Sequence, residues 1–413
     1  MNAIISVLLW ISYFVSLYFA VFIFIQLLKN SYVFKKKRAH DFPLVTIVVP
    51  AFNEERTVIP TLESADKLDY PKEKLQVIAV DDGSTDNTVK LVQSFIRNKT
   101  HFSLILKANG GKASALNAGL RVAEGEFFAC LDADSEVAPD ALGNMLAEFS
   151  DNVAIVTPSM RVKKPRTFIQ RIQRAEYLVQ VLLARIISSI DCQYVAPGPF
   201  SIYRTSILHK LGGFDEKNMV EDQEIGYRHQ LNHLRIKHCN DGYVFTNAPS
   251  SFGGFYQQRN RWYKGGLLCL WQYKQLLLNK KYGDFGVFQM LQNFVTYGLC
   301  IIALVVSFDI LFLPWVDKLR NLFLVGFDVL PYLNTFTLNY DIISIGASQV
   351  IILAAMMAIS LFIFWRAHEE MKESVFSHGF FVFIPYFFLY YLDKSAIVLI
   401  VLAQLAIGKR QKW

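Results

Sequence analysis

The sequence predicts an α/β domain of parallel βα units set between transmembrane helices. Ala3 to Leu28 carries no charged residue, and as a helix it would run about 39 Å, more than the hydrocarbon thickness of a bilayer. From Val45 to about Gly265, short β-branched runs alternate with helical patterns. After Gly266 long apolar segments return. The hydrophobic share of 53% and mean hydropathy of +0.28 are high for a purely soluble enzyme. The 413 residues leave room for one globular domain plus several spans.

The first segment, residues 1–30, is too long for the apolar part of a signal peptide and lacks a basic start and a small-residue cleavage site, so it reads as a retained helix. Lys35, Lys36, Lys37 and Arg38 follow it and place that flank in the cytoplasm, where they can also touch anionic headgroups. They account for part of the net charge of +7. A nucleic-acid binder would instead spread basic residues over a soluble face. The five cysteines are scattered, with no CxxC pair, as expected of reduced thiols.

The soluble domain spans 43–266. Val45-Thr-Ile-Val-Val49 and Gln76-Val-Ile-Ala-Val80 read as strands. Ser84-Thr85-Asp86 offers caps for a helix over Val89 to Ile96, and Lys112 to Ala123 reads as another helix. Glu126 to Leu131 is a buried strand leading into Asp132-Ala-Asp134. Within 167–189 an apolar stripe runs from Phe168 to Ile187, with Arg171, Gln173, Arg174 and Gln180 opposite, which suits a helix on the membrane surface. The C-terminal unit, 284–408, offers spans over Leu299 to Trp315 and Ile342 to Trp365. Phe380 to Gly408, holding Asp393-Lys394, reads as two shorter segments or one tilted helix. Leu319 to Phe336 is open between a span and a re-entrant segment, giving four or five spans in all. Lys409, Arg410 and Lys412 place the C-terminus in the cytoplasm.

Four clusters carry chemistry. Asn53-Glu54 and Asp81-Asp82-Gly-Ser-Thr-Asp86 stand at strand ends, where carboxylates can bind a nucleoside's ribose or base. Capping explains Ser84 and Asp86, while Asp81 and Asp82 show no such structural need. Gly110-Gly111-Lys112 opens a helix, and its N–H groups and ammonium would favour a diphosphate. Asp132 and Asp134, on alternate positions of a turn after an apolar strand, can bind a hard divalent cation. Glu221-Asp222 offers a general base, or alternatively an acidic helix start. His229 and His233, at i and i+4, could bind zinc, but with His238 they form no recognisable zinc pattern with a further ligand or a glutamate base, and all three read as polar-surface residues.

Taken with Gln258-Arg-Asn-Arg261-Trp262, these clusters resemble those of processive family 2 glycosyltransferases. Asn109-Gly-Gly-Lys-Ala-Ser-Ala-Leu-Asn117 is most similar to poly-β-1,6-N-acetylglucosamine synthases. Hyaluronan, chitin and cellulose synthases are more distant. The resemblance covers Val45 to about Gly266. It implies a GT-A domain with a mixed, mostly parallel sheet, and an inverting transfer from a UDP-sugar to a growing β-linked polysaccharide. It also implies a multi-pass plasma-membrane enzyme with a cytoplasmic catalytic domain, coupling synthesis to translocation. Asn53, Glu54, Asp81 and Asp82 would then hold the nucleoside, with Lys112, Gln258 and Arg261 toward the diphosphate or the chain end. Asp132 and Asp134 would face Mg²⁺ or Mn²⁺, with Asp134 as the direct ligand. Asp222 beside Glu221 would be the base, Trp262 would stack on the acceptor sugar, and Gly198 and Pro199 would form the loop beside it. Val220 replaces the usual threonine before Glu-Asp, and Pro197-Gly-Pro199 replaces the more frequent Ser-Gly, which leaves the acceptor sugar open. The partners implied are a UDP-sugar, a polysaccharide, the bilayer and, as an option, a small membrane accessory subunit. A lipid-directed transferase acting on a polyprenyl phosphate would share the acidic clusters but not need Gln258 to Trp262.

Overall fold

The computed structural model describes residues 3–29, 42–324, 347–383 and 385–408. The basic runs after Leu28 and Gly408, and Leu319 to Phe336 beyond residue 324, lie outside them. In chain order, α1 (Ala3–Lys29) is followed by β1 (Val45–Ala51), α2 (Val58–Asp66), β2 (Leu75–Asp81), α3 (Thr88–Ile96), β3 (Phe102–Leu106), α4 (Lys112–Arg121) and β4 (Phe127–Cys130). Next come β5 (Glu136–Val137), α5 (Ala141–Leu146), β6 (Val153–Val162), α6 (Phe168–Ser189), β7 (Ile202–Arg204), α7 (Thr205–Lys210), α8 (Glu221–Leu231), β8 (Arg235–Thr246) and α9 (Phe252–Gln272). The strands form one eight-stranded sheet in the order β3-β2-β1-β4-β7-β6-β8-β5.

The central strands are apolar on both faces because helices cover both faces. Val45, Ile47 and Val49 point into a core with Val58 and Leu62 of α2 and Met145 of α5. Val48, Ile78 and Val80 point the other way, toward Ala115 and Leu116 of α4. Strands β1, β2, β3 and β4 run parallel, and β7 reverses direction between β4 and β6. The carboxyl ends of β1, β2 and β4 therefore open on one side, carrying Asn53, Asp82 and Asp132. Helix α4 reaches the same side because it lies close on the sheet. A Cβ on Gly119 would sit 2.6 Å from the Val48 methyls. That small-residue contact delivers Lys112, the first residue of α4, to the strand ends.

Helix α6 opens with a capping box, the Thr167 hydroxyl accepting from the Gln170 N–H and the Gln170 side chain answering. Its apolar stripe meets protein. Leu178, Leu182 and Ile186 pack with Ile23 and Leu27 of α1 and with Ala367 and Met371 at the end of a later helix. Its polar face is also partnered within the protein. Gln173 is fully buried and donates to the Pro249 carbonyl at 2.9 Å, and Arg174 pairs with Glu373 at 2.7 Å. A buried amide needs a partner, and the loop entering α9 supplies it.

The C-terminal part contains α10 (Met290–Ser307), α11 (Leu313–Leu324), α12 (Ala347–Glu370) and α13 (Tyr390–Ala406). Among the described residues, three helices are long and apolar enough to cross a membrane: Ala3–Lys29, Phe285–Ser307 and Ala347–Glu370. The span expected from Leu299 starts earlier, at a π-turn over Phe285–Gln289. Gln289, Gln292 and Asn293 mask that start in the sequence because they lower its hydropathy. Phe380 to Gly408 divides as one expected alternative allowed, into short turns and α13.

Candidate active site

The ends of β1 and β2 are tied to each other. Asn53 has a left-handed φ of 57°, its side-chain carbonyl accepts from the Thr85 N–H at 2.8 Å, and its own N–H donates to the Ser84 hydroxyl. Asp81 accepts the Gly83 and Ser84 N–H groups, each at 3.1 Å, while its other oxygen is buried with no hydrogen-bond partner. Asp82 accepts the N–H groups of Gly110 at 3.0 Å and Gly111 at 2.7 Å and pairs with Lys107. Two expectations are thereby corrected. Both carboxylates have structural work, and the glycine N–H groups assigned to a diphosphate are donated to Asp82. A buried carboxylate requires donors, and Gly111, at φ 86°, bends the backbone so that they point inward.

A second group lies beyond β4. Lys112 bridges Asp132 at 2.5 Å and Glu221 at 3.1 Å. Burial alone would lower its pKa, but the two carboxylates hold it well above the ordinary lysine value. Gly198 closes over the bridge, and a Cβ there would run into the Lys112 ammonium and the Asp132 carboxylate. Phe200, two residues on, is fully buried with φ 63°, a strained conformation for a bulky residue.

Asp134 and Asp222 sit where negative charge is least comfortable. Burial, then Asp132, push Asp134 up to about 6, with Glu54 adding. Burial and Glu221 push Asp222 up to about 6, against the pull of Lys112 and Arg261. Asp222 lies in the first turn of α8, so the helix-start and base readings describe one feature, and its carbonyl accepts the Ala196 N–H at 3.0 Å. The preceding Val220 lodges against α9, where a Cβ on Gly265 would sit 2.6 Å from its methyls. Oxygen-rich Asp134 and Asp132 fit a hard divalent cation, which would relieve the repulsion that raises Asp134.

Lys112, Asp132, Asp134, Gly198, Pro199, Glu221, Asp222, Gln258, Arg261 and Trp262 all line one cavity of about 710 Å³. Asn53, Glu54, Asp81 and Asp82 stand outside that lining, at the adjoining strand ends. The cavity continues between helices, past Gln180, Gln193 and Tyr194 to Gln289, Gln292, Asn293, Thr296 and Tyr297 of the α10 segment and Lys394 of α13. The side-chain carbonyls of Gln258, Gln193 and Gln289 are buried with no hydrogen-bond partner. Sequence reasoning missed this polar extension. Its signal is the 289, 292, 293, 296 spacing, one face of a helix.

Two histidines correct the surface expectation. His229 is fully buried with Nδ1 2.7 Å from the Ile225 carbonyl, and burial lowers its pKa to about 4. His238 lies 3.2 Å from both the Thr157 and Ser159 hydroxyls. His233 is exposed. Among the described residues, no three His, Cys, Asp or Glu side chains gather into a ready-made metal cluster.

Residues 46–212 match the family model described as glycosyl transferase family 2. The chain is 31% identical over 225 residues to a poly-beta-1,6-N-acetyl-D-glucosamine synthase of Staphylococcus epidermidis, covering 54% of each chain. It is 30% identical over the same length to the synthase of that name from Staphylococcus aureus, again covering 54% of each. The alignment thus spans about half of these relatives. In fold, the chain is similar to a mannosyltransferase from Pyrobaculum calidifontis solved in complex with GDP-Man and Mn2+. That likeness covers 98% of this chain and 99% of the other, with a TM-score of 0.68 and 18% identity.

Proposed function

We propose, from the premise that residues 46–212 are a family 2 glycosyltransferase domain, that this protein is a membrane-bound inverting hexosyltransferase. On this reading it extends a β-linked polysaccharide from a UDP-sugar, with N-acetylglucosamine as the sugar. One observation carries the reading. The cavity that holds Asp134, Asp222 and Trp262 continues along a polar face of α10, with three buried glutamine carbonyls in need of donors. A glycan brings hydroxyl donors along its whole length, and a polyprenyl chain brings none. On this reading the catalytic domain faces the cytoplasm at the plasma membrane, within reach of soluble nucleotide sugars.

Asp222 is the base. Held near 6, it is mostly ionised at neutral pH and still basic enough to accept a proton. It takes the proton of an acceptor hydroxyl as that oxygen bonds to the anomeric carbon. The bond from that carbon to the diphosphate oxygen breaks, the electron pair leaves with the nucleotide, and configuration inverts. Arg261 and Lys112 face the negative charge that develops on the leaving group. Trp262 offers a flat apolar surface to the acceptor sugar, and Gly198 and Pro199 border it. Asn53, Glu54, Asp81 and Asp82 hold the nucleoside at the strand ends, and Gln258 reads the chain end. Asp134, with Asp132, would hold Mg²⁺ or Mn²⁺, which when bound neutralises diphosphate charge.

The test is a donor panel on the full chain in lipid vesicles with Mn²⁺ or Mg²⁺, scoring nucleotide release and product length. The panel holds UDP-N-acetylglucosamine, UDP-glucose, UDP-glucuronic acid and GDP-mannose. A UDP-sugar building long glycans is the expected result. Single additions to a polyprenyl phosphate, or turnover of GDP-mannose alone, would replace the reading. With the polymer established, Trp262→Ala shortens it.

A further inference from the structure

The indole of Trp262 lines the cavity. One of its faces is covered by Arg259, whose guanidinium carbon lies 4.2 Å from the indole centroid and 5.0 Å from the Phe255 ring. Arg259 is 1% exposed and is absent from the cavity lining, so it touches neither donor nor acceptor space. Its charge is fixed from α6. Glu176, 3% exposed, accepts from Arg259 Nη2 at 2.5 Å and from the Gln180 amide at 2.9 Å, with the Lys394 ammonium of α13 at 3.9 Å. Burying a full charge in α9 is costly and has to be balanced by a partner. A leucine would fill the space under an indole without that cost. What a guanidinium adds is a planar, fixed-angle stack on the ring together with directed N–H groups to the carboxylate.

We propose that Arg259 is the positioning residue of the acceptor platform. It sets the tilt of Trp262 by stacking on one face of the indole, and Glu176 and Lys394 lock it to α6 and α13. The inference rests on the reading of Trp262 as the acceptor shelf, which the experiment separates from it. Because α6 and α13 flank the same cavity, the helices that enclose the glycan also hold the surface it rests on.

The experiment measures KM for an acceptor oligosaccharide, KM for the UDP-sugar donor and product length in vesicle-embedded full-length protein. Arg259→Met raises the acceptor KM about tenfold or more and shortens the product, as does Trp262→Ala, while the donor KM moves less than about threefold. Glu176→Gln, which keeps shape and loses charge, gives the same split at smaller amplitude. Arg259→Lys keeps the charge without the planar stack and recovers only part of the acceptor KM. If Trp262→Ala shows the split and neither Arg259→Met nor Glu176→Gln does, the positioning role is overturned and the platform stands. Equal losses of donor and acceptor use in Arg259→Met, fully repaired by Arg259→Lys, identify a structural charge and overturn it too. Should Trp262→Ala leave acceptor use untouched, the platform reading itself fails. If Arg259→Met is not recovered as folded protein, Arg259→Lys and Glu176→Gln decide on the same readouts.

Discussion

The two acidic ends of the site are built on opposite plans. At the β1 and β2 ends, Asp81 and Asp82 are supplied with N–H donors from glycine turns, and Asn53 ties one turn to the other. Beyond β4 and at the start of α8, Asp134 and Asp222 are buried and crowded by other carboxylates, and burial first, then those neighbours, drives both up to about 6. The first end is held in shape by these donors, with one buried Asp81 oxygen left without a partner. The second is left in electrostatic tension, which a proton or a cation can relieve. Four predictions press on this contrast, in falling order of effect.

Asp222→Asn removes the tension and the proposed base together. Transfer falls about 10²–10⁴-fold with donor affinity nearly unchanged, as read by single-turnover kinetics beside nucleotide binding; normal turnover would end the assignment. A raised carboxylate pKa also fixes the sign of the pH dependence. Below about 6 Asp222 is protonated and cannot accept, so with metal saturating, kcat falls toward about tenfold per pH unit on the acid side. A flat profile from pH 5 to 8 would break the comparison at its second end. Asp82→Asn tests the first end. The Gly110 and Gly111 N–H groups lose a charged acceptor, which costs about 1–3 kcal/mol. That appears as a lower thermal midpoint and a higher donor KM, with the pH profile unmoved. Gln292→Leu is mildest, shortening product about two- to fivefold through one lost lining amide without changing donor KM.

The fold was legible where local chemistry and burial agree. The runs Val45 to Val49 and Gln76 to Val80 became β1 and β2, and Phe168 began a helix because Thr167 and Gln170 form its cap. Lys112, Asp132, Asp134, Glu221 and Asp222 were legible because they stand at strand ends and helix starts, and Gln258, Arg261 and Trp262, inside α9, were legible through the family resemblance. Two things were not. Hydrogen-bond partners across the chain, such as Asp82 with Gly111, arise from tertiary approach that spacing does not encode. The polar α10 segment was hidden because an average over apolar neighbours dilutes Gln289, Gln292 and Asn293. Burial of His229 depends on helix orientation, and its local sequence is polar.

Val220 seated on Gly265 has a mechanical consequence. The turn that carries Asp222 and the helix that carries Trp262 pack closely through this contact, so a shift of one presses on the other. The spacing between them acts as a fixed gauge. On the proposed function, a growing glycan would pass a frame whose two working sides are braced against each other.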